Sequence, residues 1–165
     1  MKGEKTKSLV FYPDRCLGCR ICETICAVEH AGMINPERSR IKVIKNDEKG
    51  LDAVGVCVQC KEAPCIASCS VDAILRNNDY IINIDQELCA LCGLCVEACP
   101  YGGISLDEQS GEFIICDLCG GNPACVKWCP TNAIQYTQLS EGENKKIWEA
   151  HLSILRSVEK TEVLQ

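Results

Sequence analysis

The 165-residue sequence has few aromatic residues, little basic charge and no long apolar run. Aromatic side chains make up 5% of it, and sixteen of the residues counted in its 47% hydrophobic content are cysteines. We therefore expect one small domain with a thin apolar core, in which metal ligation replaces part of the usual hydrophobic stabilisation. No apolar stretch approaches the ~20 residues that a membrane-spanning helix needs, so we expect no membrane span.

The net charge and the motifs that are missing indicate which ligands, partners and compartment to expect. The formal net charge is −6 and no basic stripe offsets it, which argues against nucleic acid as a partner. The opening segment MKGEKTK resembles no signal peptide and holds no twin-arginine pair, so we expect a cytoplasmic protein, with export on a signal-bearing partner left open. No glycine fingerprint follows a predicted strand, so nothing in the sequence supports nucleotide binding by this chain.

Cysteine, by contrast, is abundant and regularly spaced. Two groups read C-x2-C-x2-C-x3-C, and the other two lengthen only the middle gap, to four and to five residues. A run of this kind supplies three thiolates to one iron–sulfur cluster and its fourth to another. Four such runs predict four [4Fe-4S] clusters, electron transfer rather than catalysis, and no role for His30 or His151 as ligand. The groups are Cys16, Cys19, Cys22 and Cys26; Cys57, Cys60, Cys65 and Cys69; Cys89, Cys92, Cys95 and Cys99; and Cys116, Cys119, Cys125 and Cys129.

Three other uses of these cysteines fit less well. A disulfide framework suits a short secreted chain and has no reason to repeat one spacing four times. Zinc sites use well-separated C-x2-C pairs, whereas here a third cysteine follows the second after two to five residues. A radical-SAM enzyme needs C-x3-C-x2-C, and no such triplet is present.

Between the cysteine groups the sequence predicts short strands and single-turn helices. Three groups are followed, five residues after their last cysteine, by an isoleucine that we expect to pack over a cluster: Ile74, Ile104 and Ile134. Trp128 is expected to shield a cluster as well. After a possible capping box at residues 140–143, apolar residues recur at helical spacing. This C-terminal helix packs either on its own domain or on a partner.

The order of the four groups, with CPYGGI followed by CDLCGGNPACVKWCPTNAI, resembles the four-cluster ferredoxin subunits of multi-subunit redox enzymes. These serve molybdenum- or tungsten-pterin oxidoreductases of the dimethyl-sulfoxide-reductase and aldehyde-oxidoreductase families, formate dehydrogenases and some hydrogenases. The resemblance implies an α+β fold of two nested ferredoxin-like 2[4Fe-4S] modules, with short strands and helices around four clusters and a C-terminal helix. We expect a polyferredoxin domain over residues 1–139, its inner module at about 52–110 and its outer module at 8–51 and 111–139, and a helical extension over 140–165.

The resemblance also implies which cysteines share a cluster, in four ligand sets that we number by their first three members. Sequential pairing, the first group with the second and the third with the fourth, is the alternative. Site 1 is Cys16, Cys19, Cys22 and Cys129; site 2 is Cys57, Cys60, Cys65 and Cys99; site 3 is Cys89, Cys92, Cys95 and Cys69; and site 4 is Cys116, Cys119, Cys125 and Cys26.

What the resemblance implies for function is a non-catalytic, hetero-oligomeric subunit. It would relay single electrons between a large catalytic subunit, with the tungsten- or molybdenum-pterin type favoured, and a flavin or ferredoxin partner. A free-standing polyferredoxin that shuttles between enzymes is the alternative, and a maturation or regulatory iron–sulfur protein is a third possibility.

Overall fold

A computed structural model describes residues 6–159 as short strands and short helices, followed by one long helix. The α+β expectation is confirmed. The strands are β1 (Thr6–Phe11), β2 (Ile41–Asn46), β3 (Leu51–Val56), β4 (Ile74–Arg76), β5 (Ile82–Ile84), β6 (Ile104–Asp107), β7 (Glu112–Ile115) and β8 (Ile134–Leu139). The helices are α1 (Ile21–Ala31), α2 (Pro64–Ala67), α3 (Leu94–Ala98), α4 (Ala124–Lys127) and α5 (Glu141–Glu159), with 3₁₀ turns at Pro13–Arg15, Pro36–Arg38 and Leu118–Gly121.

The strands form four separate antiparallel pairs, each of which links the end of one cysteine group to the start of the next. Pairs β2–β3, β4–β5 and β6–β7 are hairpins between groups that follow one another in sequence. The fourth pair, β1–β8, closes the circuit by joining the strand before the first group to the strand after the last. The β2–β3 hairpin turns at residues 47–50.

Strand register shows that these pairs are of two alternating kinds. Each pair contains an isoleucine that opens the strand after a cysteine group. In β2–β3 and β6–β7, the residue paired with this isoleucine stands directly before the first cysteine of the next group; these residues are Val56 and Ile115. In β4–β5 and β1–β8, the residue paired with the isoleucine stands five residues before the first cysteine of a group; these residues are Ile84 and Phe11. The alternation is what an internal repeat of a two-group unit produces.

The isoleucines after the last three groups lie in the core, as predicted. Ile74, Ile104 and Ile134 are 2%, 4% and 4% exposed. Strand β5 begins at Ile82, after a turn. The side-chain oxygen of Asn77 accepts hydrogen bonds from the N–H groups of Asp79 and Ile81, which holds that stretch in a turn.

The C-terminal helix α5 packs on its own chain, which decides between the two alternatives for its apolar face. Trp148 donates its indole N–H to the Leu9 carbonyl at 3.1 Å, and His151 donates to the Val54 carbonyl at 2.7 Å. Both side chains are almost fully buried, so β1 and β3 cover this face. The carboxylate of Glu143 accepts from the backbone N–H of Ser140 at 3.0 Å, which is the predicted capping interaction.

No helix between residues 6 and 159 combines the length and the apolar character needed to cross a bilayer. The predicted division into nested modules is not tested by these elements and stays a prediction. Its outermost parts, residues 1–5 and 160–165, lie outside the described residues.

Candidate metal centres

Each cysteine group contains a left-handed turn two residues after its first cysteine. A left-handed conformation costs a non-glycine residue about 1–2 kcal/mol, yet three of these four turn residues are not glycine. The turn aims a backbone N–H at the first sulfur: that of Gly18 lies 3.4 Å from Cys16 Sγ, and the second and fourth groups make the equivalent bond. The turn residues are Gly18, Gln59, Leu91 and Leu118, with φ of 58°, 52°, 53° and 59°.

A second left-handed turn follows the last cysteine of the second, third and fourth groups. In the second group the backbone N–H of Ala73 donates to Cys69 Sγ at 3.2 Å, and in the third that of Gly103 donates to Cys99 Sγ at 3.3 Å. Strain at such positions persists where the surroundings impose it and is typical of binding sites. The turn residues are Asp72, Gly102 and Asn132.

Site 1 is a cavity lined by thiols from both ends of the cysteine region. Cys16, Cys19 and Cys22 line it together with Cys129, which is more than a hundred residues away in sequence. The empty space is about 340 Å³ including its mouth, and Ile134 forms part of the apolar wall. The four predicted ligands of this site are therefore brought together.

At site 4 the structure also gathers the predicted cysteines. Burial raises the pKa of Cys116 to about 12, with further contributions from Cys26, Asp117 and Cys119. Burial, followed by Cys116, Cys26 and Cys119, raises the pKa of Cys125 above its ordinary range. Cys26, from the first group, is thus an electrostatic neighbour of the fourth group.

The structure links the predicted cysteines of site 2 to one another more completely than those of site 3. At site 2, burial raises the pKa of Cys65 to about 11, and the next contributions come from Cys60 and Cys99. At site 3, burial raises the pKa of Cys95, with contributions from the other two cysteines of its own run. No such contribution links Cys69 to site 3, although helices α2 and α3 are in contact. The place of Cys69 in this set rests on the resemblance.

The donor sets fit iron–sulfur clusters. None of the sixteen cysteines, all of which lie within residues 6–159, forms a disulfide. Packing several of them together without a cation is unfavourable, because burial and mutual repulsion oppose the thiolate form. A bound cation reverses this preference and deprotonates its thiol ligands. The pocket walls are apolar and backbone N–H groups point at the sulfurs, which are the features that tune such clusters.

One polar network beside site 4 was not foreseen as part of a site. His30 Nε2 lies 3.5 Å from Cys119 Sγ and 3.5 Å from a carboxylate oxygen of Asp117. Arg40 binds the other oxygen of Asp117 at 2.6 Å, and its backbone N–H donates to Cys26 Sγ at 3.4 Å. Burial and Arg40 lower the pKa of His30, while Asp117 acts in the opposite direction. Sequence reasoning considered His30 only as a ligand, and its position after Cys26 was the available signal.

Exposure differs among the sites, and one expectation is wrong. Cys19 of site 1 and Cys92 of site 3 are exposed, so these two sites reach the surface of the described chain. Trp128 was expected to shield a cluster, but 61% of it is exposed. It follows the last residue of the four-residue helix α4, and its neighbour Val126 packs against the core instead.

Two family models match the chain. Residues 53–139 match a 4Fe-4S dicluster domain, and residues 13–29 match a 4Fe-4S binding domain. Together these ranges include all sixteen cysteines.

Similar proteins are named for electron transfer. The polyferredoxin-like subunit of aliphatic sulfonate oxidoreductase from Pyrococcus furiosus is 41% identical, over 73% of this chain and 70% of the relative. The electron transfer subunit PhsB of thiosulfate reductase from Salmonella typhi is 31% identical, over 88% and 82%. Among solved structures, a chain of the active site complex BamBC of benzoyl coenzyme A reductase superposes with a TM-score of 0.51 and 26% identity, over 99% of this chain and 100% of the other.

Proposed function

This chain belongs to the 4Fe-4S dicluster family of ferredoxin-type electron-transfer proteins, and from that premise we propose that it binds four [4Fe-4S] clusters and relays single electrons to or from a catalytic oxidoreductase subunit. The observation that carries the cluster count is the repetition, in all four cysteine groups, of one left-handed turn two residues after the first cysteine. We propose further that the chain itself has no catalytic role and acts in the cytoplasm.

The crossed ligand sets are part of this proposal. The cavity shared by Cys16, Cys19, Cys22 and Cys129 supports site 1, because sequential pairing offers no reason for the first and last groups to meet. The β1–β8 pair supports the same arrangement, since it holds the two ends of the cysteine region side by side. The inner and outer modules follow from these sets.

The protein's own residues determine how electrons reach and rest at each site. When bound, each cluster supplies a one-electron couple whose potential depends on charge, hydrogen bonds to sulfur and exposure. Backbone N–H groups such as those of Gly18 and Gly103 stabilise added negative charge on sulfur. Buried walls, including Ile134 at site 1, exclude water. The exposed Cys19 and Cys92 mark the two places where a partner could approach most closely.

The partner that we propose is a large oxidoreductase subunit. It is supported by the relatives that are themselves subunits of oxidoreductases and by the similarity to a chain of the active site complex BamBC. A tungsten- or molybdenum-pterin type, with a flavin or ferredoxin as the second redox partner, follows from the resemblance of the cysteine groups.

Paired cysteine substitutions test the ligand sets. Cys16→Ser/Cys129→Ser should lose the iron of one cluster, about four atoms, because both changes fall in site 1. The matched control Cys116→Ser/Cys129→Ser should lose about eight, because it affects sites 1 and 4. Iron and sulfide are counted on anaerobically purified protein. Equal losses in the two double variants, or a larger loss in the first, would refute the crossed sets.

Native anaerobic purification tests the relay. The chain should elute with a large subunit at fixed stoichiometry, and reduced chain should pass electrons to that subunit in a stopped-flow experiment. If the chain elutes alone with all its clusters, the free-standing carrier is correct and the subunit proposal is wrong.

A further inference from the structure

His30 lies between the first and the fourth cysteine groups. It lies in the last turn of α1, the helix that also carries Cys22 and Cys26, and only 15% of its side chain is exposed. Its Nε2 lies 3.5 Å from Cys119 Sγ in the fourth group. Helix α1 packs against α4 of that group, so this contact is built into the helix pairing.

The surroundings of His30 require Nε2 to be the protonated ring nitrogen. The two polar atoms 3.5 Å from it are the sulfur of Cys119 and a carboxylate oxygen of Asp117, and both are acceptors when Cys119 is a thiolate ligand. A lone pair facing two anions would be repelled. The hydrogen on Nε2 therefore points at this pair of acceptors and is shared between them.

Asp117 fixes the geometry of this contact. Its Oδ1 also accepts the backbone N–H of Cys119 at 2.9 Å, and its Oδ2 binds Arg40 at 2.6 Å. Because the carboxylate is held at both oxygens, it keeps the imidazole beside the sulfur. Arg40 then reaches a second ligand of the same site, since its backbone N–H donates to Cys26 Sγ.

This network differs in chemistry from what the other sites present to sulfur. Sites 1, 2 and 3 receive backbone N–H groups, for example from Gly18, Gly103 and Ala73. At site 1 the hydroxyl of Thr131 also lies 3.8 Å from Cys129 Sγ. Site 4 receives an imidazole N–H in addition to backbone donors. A hydrogen bond to a ligand sulfur favours the reduced cluster, because reduction adds negative charge that the donor stabilises.

We propose that His30, positioned by Asp117 and Arg40, donates a hydrogen bond to Cys119 and thereby raises the reduction potential of site 4. The inference rests on the proposed ligand sets. Its consequence is that site 4 accepts an electron more readily than it would without this imidazole, so His30 tunes electron flow and is not a ligand.

Redox titration of two His30 variants tests this role. His30→Leu removes the donor, whereas His30→Gln places an amide N–H near the former Nε2. With the potentials followed by EPR, His30→Leu should shift one cluster downward by about tenfold in its reduced-to-oxidised ratio, about 59 mV for one electron. His30→Gln should restore most of the shift. The shifted signal should be the one that Cys26→Ser abolishes.

The outcomes separate this inference from the ligand proposal. Full iron content with unchanged potentials in His30→Leu overturns the role of His30 and leaves the ligand sets intact. Equal shifts in the Leu and Gln variants also overturn it, because donation is then not the cause. If the shifted cluster is one that Cys26→Ser leaves untouched, the assignment of Cys26 to site 4 is wrong.

A measurement on the unmodified protein keeps the question open to refutation if the variants fail to assemble. The sequence has two histidines, so labelling histidine alone with ¹⁵N leaves His30 and His151 as the labelled side chains. Pulsed EPR of the reduced protein should detect a weak ¹⁵N coupling to one cluster, unchanged in His151→Gln. No imidazole coupling at any cluster would contradict the hydrogen bond.

Discussion

The first cysteine group and the other three reach the same sulfur hydrogen bond by different routes. After Cys69 and Cys99, the N–H that donates to the sulfur belongs to the residue four positions later. After Cys26, the donor is Arg40, fourteen positions later. In every case the donor stands directly before the isoleucine that opens the next strand.

The difference shows which parts of the repeat the fold requires. The donor N–H and the paired isoleucine keep their places, while the path between cysteine and donor can be one tight turn or a long excursion. In the first group this excursion extends α1 to eleven residues, against four or five in α2, α3 and α4. The additional helical turns place His30 beside Cys119, so the longest connection also links the first group to the fourth.

The largest effect that we predict concerns the close packing of the third group against the backbone of the second. Ala73 and Ala133 precede the isoleucine in their groups, but the equivalent Gly103 has no room for a methyl group. A Cβ there would lie 2.7 Å from both the Cα and the N atom of Cys57. Gly103→Ala should therefore distort site 2 and remove about a quarter of the bound iron.

Iron and sulfide analysis with EPR checks this prediction. Gly142→Ala is the matched control, because a Cβ there meets nothing within 4 Å. A Gly103→Ala protein with full iron content would show that the backbone of Cys57 can move, and the equivalence of the three groups would then be closer than the structure indicates.

The next prediction concerns the carboxylate directly after the third cysteine, a position that is acidic in the first group and apolar in the other three. Glu23 lies within α1, its side chain is 4% exposed, and its Oε1 accepts the N–H of Val43 at 2.6 Å. Glu23→Ala leaves that buried N–H without its acceptor, at a cost of about 1–3 kcal/mol. The melting temperature of the loaded protein should fall clearly, and less in Glu23→Gln.

Glu29→Ala is the control, because this residue lies on the same helix and is exposed. Equal melting temperatures for the Glu23→Ala and Glu29→Ala proteins would mean that the link between α1 and β2 does not stabilise the first group.

The stability of the β2–β3 hairpin, which follows the first group and is covered by α5, should depend on pH. Burial lowers the folded-state pKa of His151, whose buried Nδ1 has no hydrogen-bond partner among residues 6–159. The unfolded chain therefore binds the proton more readily. Stability from this residue is complete above about pH 6.5 and falls as the pH drops from there towards the folded-state pKa, by at most about 1.4 kcal/mol per pH unit.

The check is the melting temperature of the loaded protein between pH 8 and 5, compared with His151→Gln. The pKa of His30 is lowered too, so the difference between the two profiles is the relevant quantity. Parallel profiles would exclude His151 as the source.

The smallest effect should come from the start of α5, far from any cysteine group. Ser140→Ala removes the hydroxyl that donates to the Glu143 carboxylate at 2.6 Å. We expect about 0.5–1 kcal/mol of lost stability and unchanged potentials at all four sites. A shifted cluster potential would contradict this expectation and show that α5 is coupled to the sites through β1 and β3.

Much of the fold was predictable because cysteine spacing and strand alternation are local signals. The short strands, the buried Ile74, Ile104 and Ile134, and the capping of α5 all follow from residues that are near one another in sequence. Cys129 was assigned to site 1 through a family resemblance, since no spacing rule relates it to Cys16.

The remaining features depend on contacts between distant residues. The length of α1 was missed because the first group has the same cysteine spacing as the third, so the spacing does not indicate how far the helix continues after Cys26. The exposure of Trp128 was missed because an aromatic residue between two cysteines looks buried in sequence. The His30–Asp117–Arg40 network joins three segments that no periodic pattern relates.

The β1–β8 pair has a consequence for the synthesis of the protein. Leu9, Val10 and Phe11 are almost fully buried in the finished molecule, but their partners run from Tyr136 back to Ile134. While the ribosome makes the intervening residues, β1 is an apolar strand with an unpaired edge, the kind of segment that associates with other chains. The N-terminal strand is made first and can be completed only when the last strand emerges.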